Sequence, residues 1–369
     1  MHVLMIAPEQ IPVPPINGGS VEICMNAIAN RLAQQHLVTL ISRRHSRYPN
    51  RTTKGNLTII RVPSGGTGHY LTSVAQAIKG KHYDWIQIDN RPSFISKIRA
   101  DFPNTPISVF LHSLTFVSKS RYANGSVENS LAKANLIVAN SSSLENELVV
   151  RFPKLKSKIT HVLLGVDLQQ FKPPSPQQRM KLRNRYGLRG SFVFSFAGRI
   201  IPRKGIPLLL KALSKVRKSV PNVKLIIAGK GNSGYVSRLK SLSKRLHVST
   251  KFIGQLPHRR MHEAYWPADC FVCPSQSHEA FGLVNVEAMA TGIPAVSSNN
   301  GGIKEIVRNE INSLLVKNYR NPDAFAAQLL RLARNRSYAQ ALGRQARRDM
   351  IQKFNWNQTT SRLIKLYGK

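Results

Sequence analysis

The sequence predicts two successive α/β domains, each built on a doubly wound, mostly parallel sheet. Three observations carry that prediction: apolar runs of strand length recur, a segment of helical period follows each run, and the alternation begins again near residue 192 after a proline-rich interruption. In the first series the runs are VLMIAP at 3–8, HLVTLI at 36–41, LTIIRV at 57–62, WIQID at 85–89, ISVFLH at 107–112 and LIVAN at 136–140. Strands separated by helices must be joined by right-handed crossovers, which make neighbouring strands parallel. The second series runs through FVFSFAG at 192–198, VKLIIAG at 223–229, KFIG at 251–254, CFVCP at 270–274 and PAVSS at 294–298. Between the two lies FKPPSPQQRMK, where Pro173, Pro174 and Pro176 exclude a continuous helix or a central strand. A boundary here gives domains over 1–170 and 171–350. After Asn321 the pattern is wholly helical, and the closing segment 351–369, with FNWNQTTSRLIKLY, is expected to return as a helix onto the first domain.

With 42% hydrophobic and 20% charged residues in 369, the chain can bury real cores, which excludes a disordered or fibrous protein. The charge balance is the unusual feature: 55 Lys and Arg against 17 Asp and Glu give a formal +38. From Leu168 to His262 there are 22 Lys and Arg and no acidic residue, and a second acid-free stretch, Ile23 to Tyr83, carries nine. Such an excess bears on partners and association rather than on fold, and it points to polyanions. Three cysteines, Cys24, Cys270 and Cys273, are too few for a disulfide framework, so a reducing compartment is expected. The start MHVLMIAPEQ has no basic leader, and no window reaches the roughly 20 apolar residues of a membrane span. The expectation is a cytoplasmic protein, in peripheral contact with an anionic membrane or coat.

Two segments carry the chemistry. AGRIIPRKG, Ala197 to Gly205, follows a strand and precedes the helical pattern IPLLLKALSKV. Ligands of open α/β sheets sit at the carboxyl ends of strands, so Arg199 and Lys204 leave the sheet where an anion would be gripped. A guanidinium fork and a mobile ammonium suit a diphosphate, although two solvated cations in a basic region would read the same way. In SHEAFGLVNVEAMATGIPAVSSNNGG, Glu279 stands just ahead of Phe281, Gly282 and Leu283, where a helix can begin, and Glu287 follows eight residues later, a little over two turns on. Free N–H groups at a helix start suit a phosphate or a sugar oxygen, and carboxylates accept from hydroxyls. Together these describe a sugar nucleotide. The plainer alternative is a capping Glu279 and a solvated Glu287.

AGRIIPRKG and HEAFGLVNVEAMATGIPAV, with the E-x7-E spacing of Glu279 and Glu287, resemble the retaining family 4 glycosyltransferases of the GT-B architecture, in which two Rossmann-like domains face each other across a cleft. The likeness spans the chain, from NGG at Asn17 to Gly19 through GVD, AGKG at Ala228 to Gly231, FIGQL at Phe252 to Leu256 and the Gly301-Gly302 pair to the closing FNW; the opening lines resemble bacterial spore-coat-associated members. The resemblance implies that Arg199 and Lys204 hold the donor diphosphate, that Glu279 binds sugar hydroxyls and that Glu287 binds the ribose. It further implies that Gly18 and Gly19 bring the N-terminal loop close to the phosphates, that His112 reaches the donor sugar, and that Leu256 lies where main chain meets the base. Gly229, Gly231, Phe281, Gly282 and Leu283 complete the implied donor site. By the same resemblance the donor is a nucleoside diphosphate sugar, UDP-linked in the commonest case, no further cofactor is required, and the acceptor is a glycan, lipid-linked or other hydroxyl. Retention would proceed on one face of the sugar, a donor phosphate oxygen helping to deprotonate the acceptor.

Other chemistries fit less well. Cys270 and Cys273 have C-x2-C spacing without a second pair, so two core thiols are expected rather than zinc, and no D-x-D suggests a carboxylate-held metal. HEAFG lacks the second His of a zinc protease, and GKGNSG lacks the GK[ST] of a P-loop. Gly229, Gly231 and Gly234 match G-x-G-x-x-G, but no acidic residue follows until Glu263, where a ribose-binding acid should come about 20 residues on. A nucleic-acid- or polyanion-binding protein without transferase activity is the competing function. It is weakened by only 7% aromatic residues and by the absence of a base-stacking motif.

Overall fold

The structure is a computed structural model in which residues 1–118 and 125–368 are described. The chain divides into two compact units: Met1–Gly165 together with the segment from Trp356 onward, and Val166–Asn355. The division lies a few residues before Phe171, because Val166 bridges to Asn355 and Phe171 is buried against His258 and Tyr265 of the second unit. The terminal helix Trp356–Tyr367 belongs to the first unit, where it packs on the helix Ser20–Leu32.

The first unit holds an eight-stranded sheet in the order β3-β4-β2-β1-β5-β6-β7-β8. These strands are β1 (His2–Ile6), β2 (Leu37–Arg43), β3 (Arg51–Lys54), β4 (Leu57–Val62), β5 (Trp85–Asp89), β6 (Ile107–Leu111), β7 (Leu136–Ala139) and β8 (Ile159–His161). All neighbours are parallel except β3 and β4, which form a hairpin. Residues of β5 and β6 are buried along their whole length, as expected of a parallel sheet covered on both faces. Strand order reverses between β1 and β5, and it is at such switch points that the connecting loops part and leave a crevice.

The second unit holds a wholly parallel sheet in the order β11-β10-β9-β12-β13-β14. Its strands are β9 (Phe192–Ala197), β10 (Val223–Ala228), β11 (Thr250–Gly254), β12 (Cys270–Cys273), β13 (Ala295–Ser298) and β14 (Leu314–Val316). Helix Ile206–Ser219 shows how pattern becomes packing. Ile206, Leu209, Leu210, Leu213 and Val216 recur at three- and four-residue spacing and are all buried, beside Phe194, Phe196 and Leu225. Each such side chain stabilises the unit by roughly 1.5–3 kcal/mol. The helix starts at Gly205, left-handed at φ 71°, and carries Arg217 and Lys218 in its last turn, where cations oppose the helix dipole. The switch point of this sheet falls between β9 and β12. The loops after those two strands are therefore where a ligand of this unit would be met.

Candidate active site

Both loops are pinned by backbone contacts that only glycine allows. A Cβ on Gly205 would stand 2.0 Å from the Pro274 carbonyl oxygen, so the β9 loop lies directly on the β12 loop. Gln276 N donates to Arg203 O at 2.8 Å across the same seam. This approach brings Lys204 to Glu279, with Nζ 2.5 Å from Oε2, and Ser275 Oγ donates to the same carboxylate oxygen at 2.9 Å. Burial would raise the Glu279 carboxyl, but the charge and hydrogen bond of Lys204, with Ser275 and Arg203, outweigh it and hold Glu279 below its usual range. Glu279 is thus an ionised hydrogen-bond acceptor, still partly exposed, with the Lys204 ammonium against it.

Arg199 leaves the end of β9 exposed to solvent, and its guanidinium makes no hydrogen bond or ion pair among the described residues. Partial desolvation and the charge of Arg203 lower it, while Glu279 pulls it back up. The three residues AGRIIPRKG and HEAFG singled out are accordingly neighbours in space, two of them bonded and the third with its guanidinium uncommitted.

The other residues expected at the donor site stand in different settings. Gly229 and Gly231 face protein, since their Cβ positions would lie 1.9 Å from Gly198 O and 2.3 Å from Ile200 O. They let the β10 loop lie on the strand exit that carries Arg199. Gly301 and Gly302 do the same for the loop after β13, with Cβ positions 2.1 Å from Glu279 O and 2.3 Å from Ala280 O. Helix Leu283–Ala290 begins at Gly282, left-handed at φ 98°, with no side-chain cap. Asn285 N turns back to Gly282 O at 2.8 Å, the N–H groups of Leu283 and Val284 face the helix start without a side-chain cap, and Glu279 Cγ lies 3.6 Å from the Cβ position of Gly282. Phe281 is buried against Phe354, with ring centroids 6.2 Å apart, while Leu283 and Leu256 are half-buried.

Glu287, within that helix, is buried and belongs to a second set of contacts that sequence reasoning missed. Tyr265 Oη donates to Oε2 at 2.7 Å, and His258 Nε2 lies 3.3 Å from Oε1. Burial pushes the Tyr265 hydroxyl far up, and Glu287 adds to the effect, so the phenol stays a donor. Cys270 and Cys273 are buried free thiols within β12, raised by burial. Among the described residues no group of three or more His, Cys, Asp or Glu is placed to hold a metal ion.

In the first unit a polar cluster gathers at the carboxyl edge of the sheet. Gly18 and Gly19 have φ of 94° and 127°, and a Cβ on Gly19 would lie 2.6 Å from Glu22 Oε2. The glycine loop thus rests on a buried carboxyl. His112, just past β6, is 9% exposed and its Nε2 is 3.0 Å from Asp89 Oδ1. Arg91, itself 2% exposed, pairs with Glu9 at 2.7 Å and stacks on Phe116, 3.8 Å from the ring centroid.

Burial raises Glu22 from 4.5 to about 7; its own backbone hydrogen bond and Arg91 oppose this, and Asp89 and Glu9 add to it. A carboxyl raised on folding contributes stability that is complete below 4.5 and is lost as pH climbs to about 7. At roughly 1.4 kcal/mol per pH unit, the loss is at most about 3 kcal/mol. Thermal melts at about pH 5 and about pH 8 should show the Glu22→Gln variant gaining stability relative to the wild type across that window. Parallel melting curves for the two proteins would refute the assignment.

Comparison with known proteins places the chain among glycosyltransferases. Residues 18–170 match the model of glycosyltransferase family 4, and residues 178–349 match that of the group 1 glycosyl transferases. Spore coat protein SA of Bacillus subtilis is 28% identical over an alignment covering 100% of both chains. A D-inositol 3-phosphate glycosyltransferase of Saccharomonospora viridis is 30% identical over 71% of this chain and 64% of its own length. Among solved structures, a sucrose-phosphate synthase from Thermosynechococcus elongatus superposes with a TM-score of 0.84 at 22% identity, covering 100% of this chain and 98% of that one. HepE of Anabaena, solved with UDP and glucose, gives 0.78 at 22% identity, with 100% and 99% covered.

Proposed function

The chain belongs to the family 4 glycosyltransferases of the GT-B fold, and on that premise we propose that it moves a hexose-type sugar from a nucleoside diphosphate sugar to a hydroxyl acceptor with retention and without a metal ion. The observation that carries this reading is the set made by Arg199, Lys204 and Glu279 at the switch point of the second sheet. Arg199 and Lys204 take the diphosphate and neutralise the charge that develops on the leaving nucleotide, which is the office a cation serves in phosphoryl departure. Glu279 accepts hydroxyls of the sugar. Glu287 holds the ribose, with Tyr265 and His258 fixing its two oxygens beforehand. The uncapped start of helix Leu283–Ala290 adds N–H donors beside Glu279. In the first unit, His112 contacts the donor sugar and the Gly18-Gly19 loop its phosphates. UDP is favoured as the nucleotide, supported by the UDP bound to HepE.

A panel of nucleotide sugars with the purified protein in the presence of chelator tests the reading. Hydrolysis or transfer of at least one donor, with the product anomer matching the substrate, is expected. Inversion, or turnover only with added metal, would contradict it.

Two cations do not account for +38. We propose that the remainder serves an anionic acceptor or surface in envelope, polysaccharide or spore-coat glycosylation, the protein acting in the cytoplasm and at such a surface. No helix among the described residues is long and apolar enough to cross a membrane. Arg238, Lys240, Lys244 and Arg245 are exposed on helix Ser233–Arg245, and neutralising all four should weaken retention on anionic vesicles or an acidic polysaccharide while donor hydrolysis stays unchanged. At physiological salt, equal retention before and after neutralisation would refute a role for this face.

A further inference from the structure

We propose that a buried hydrogen-bond chain running from Tyr367, through Gln87 and Asp89, positions the imidazole of His112. The proposal rests on the reading of His112 as the residue that meets the donor sugar.

Gln87 is the anomaly that exposes the chain. It sits in β5, in the sequence WIQID, and is wholly buried, where an unpaired amide is costly. Both ends of the amide are used. Tyr367 Oη donates to Oε1 at 2.5 Å, and Nε2 donates to Asp89 Oδ2 at 2.7 Å. Asp89, also wholly buried, presents its other oxygen to His112 Nε2 at 3.0 Å. Tyr367 is itself held by stacking on Trp85, with centroids 4.5 Å apart at 17°, and by Ser108 Oγ at 3.5 Å, which accepts from Trp85 Nε1 at 3.0 Å. Burial keeps the Tyr367 phenol protonated far above neutrality, so its O–H is a permanent donor. The polarity along the path is therefore fixed from one end to the other.

Its effect on His112 follows. A carboxylate only accepts, so the ring proton lies on Nε2, and in the neutral ring Nδ1 carries the lone pair. Nδ1 has no hydrogen-bond partner among the described residues and is the ring atom available to a ligand. The backbone at His112 is held separately: its N–H donates to Asn90 Oδ1 at 3.2 Å, and its carbonyl accepts from Asn140 Nδ2 at 3.3 Å. Asn90 keeps a left-handed φ of 56°, which few residues without a local hydrogen-bonding side chain tolerate. The ring stacks on Phe110, with centroids 4.6 Å apart, and its hydrogen bond among the described residues is to Asp89, which is tied in turn through Gln87 to Tyr367 of the terminal helix.

The test uses the full-length protein, a donor it hydrolyses, and the conservative variants Tyr367→Phe and Asp89→Asn, each alone and combined with His112→Ala. Tyr367→Phe retains the ring that stacks on Trp85 and removes only the hydroxyl. The expected result is a fall in kcat of about 10-fold for Tyr367→Phe and about 100-fold for Asp89→Asn, by analogy with outer partners of ligating histidines, with donor KM little changed. In the His112→Ala background neither substitution should slow turnover further. The ¹⁵N spectrum of the His112 ring should show the proton on Nε2 in the wild type and a mixture of tautomers in Asp89→Asn. Equal losses with and without His112, or a ring spectrum indifferent to Asp89, would overturn the proposal while leaving the role of His112 intact. Wild-type turnover by His112→Ala alone would remove that role and the proposal with it.

Discussion

Arg199→Ala is expected to lower kcat for donor cleavage on the order of 10²- to 10³-fold, the loss seen when one preorganised electrostatic donor is removed from a developing negative charge. Arg199 stands just past the carboxyl end of β9, it is exposed, and no hydrogen bond or ion pair among the described residues occupies its guanidinium. Its removal should therefore cost the fold little, and the melting temperature should stay close to that of the wild type. Arg199→Lys should recover only a part of the loss, because an ammonium keeps the charge but not the planar fork that matches two phosphate oxygens. The measurement is single-turnover donor hydrolysis at saturating donor, with a melt of each variant alongside. A variant that is stable and turns over normally would take the diphosphate away from Arg199.

Glu279→Ala is expected to reduce kcat/KM for the donor by about 10- to 100-fold, for two reasons that act together. It removes a charged acceptor for sugar hydroxyls, and hydrogen bonds to charged groups contribute about 1.5–3 kcal/mol. It also releases Lys204, whose Nζ is now 2.5 Å from the carboxylate, and strands Ser275 Oγ, which donates to the same oxygen. Glu279→Gln separates the two effects, since the amide can still accept from a hydroxyl but cannot hold the ammonium by charge. If Lys204 placement dominates, Gln should be nearly as impaired as Ala. If hydroxyl recognition dominates, Gln should lie between Ala and the wild type. Normal turnover by both variants would show that this carboxylate has no part in the reaction.

How much of this was legible in the sequence follows from which forces leave a local trace. β4 lies at 57–62 in both readings, because LTIIRV is apolar, β-branched and flanked by turn residues. β3, β8 and β14 left no such trace. Arg51–Lys54 is wholly exposed and pairs only as the outer arm of a hairpin, and Ile159–His161 and Leu314–Val316 are three-residue edge strands that exist because a neighbour offers them a ladder. The positions of Arg199, Lys204 and Glu279 in the fold could be read because strand ends and helix starts leave a local trace in the sequence. Their partners could not. Lys204 meets Glu279 across 75 positions, and Ser275, Tyr265, His258, Gln87 and Asp89 look like ordinary polar residues until the fold brings them together. The glycines were legible as glycines but not in their office: Gly229 and Gly231 admit neighbouring backbone, which no one-dimensional pattern distinguishes from admitting a phosphate.

The central claim is that the second unit binds a nucleoside diphosphate through Arg199 and Lys204. Calorimetric titration of the protein with UDP, GDP, ADP and UMP, in chelator and at physiological salt, tests it most directly. The account predicts saturable one-to-one binding of at least one diphosphate, weaker binding of the monophosphate, and loss of most of the affinity in both Arg199→Ala and Lys204→Ala. Absence of binding by every diphosphate, or binding that neither substitution weakens, would contradict it.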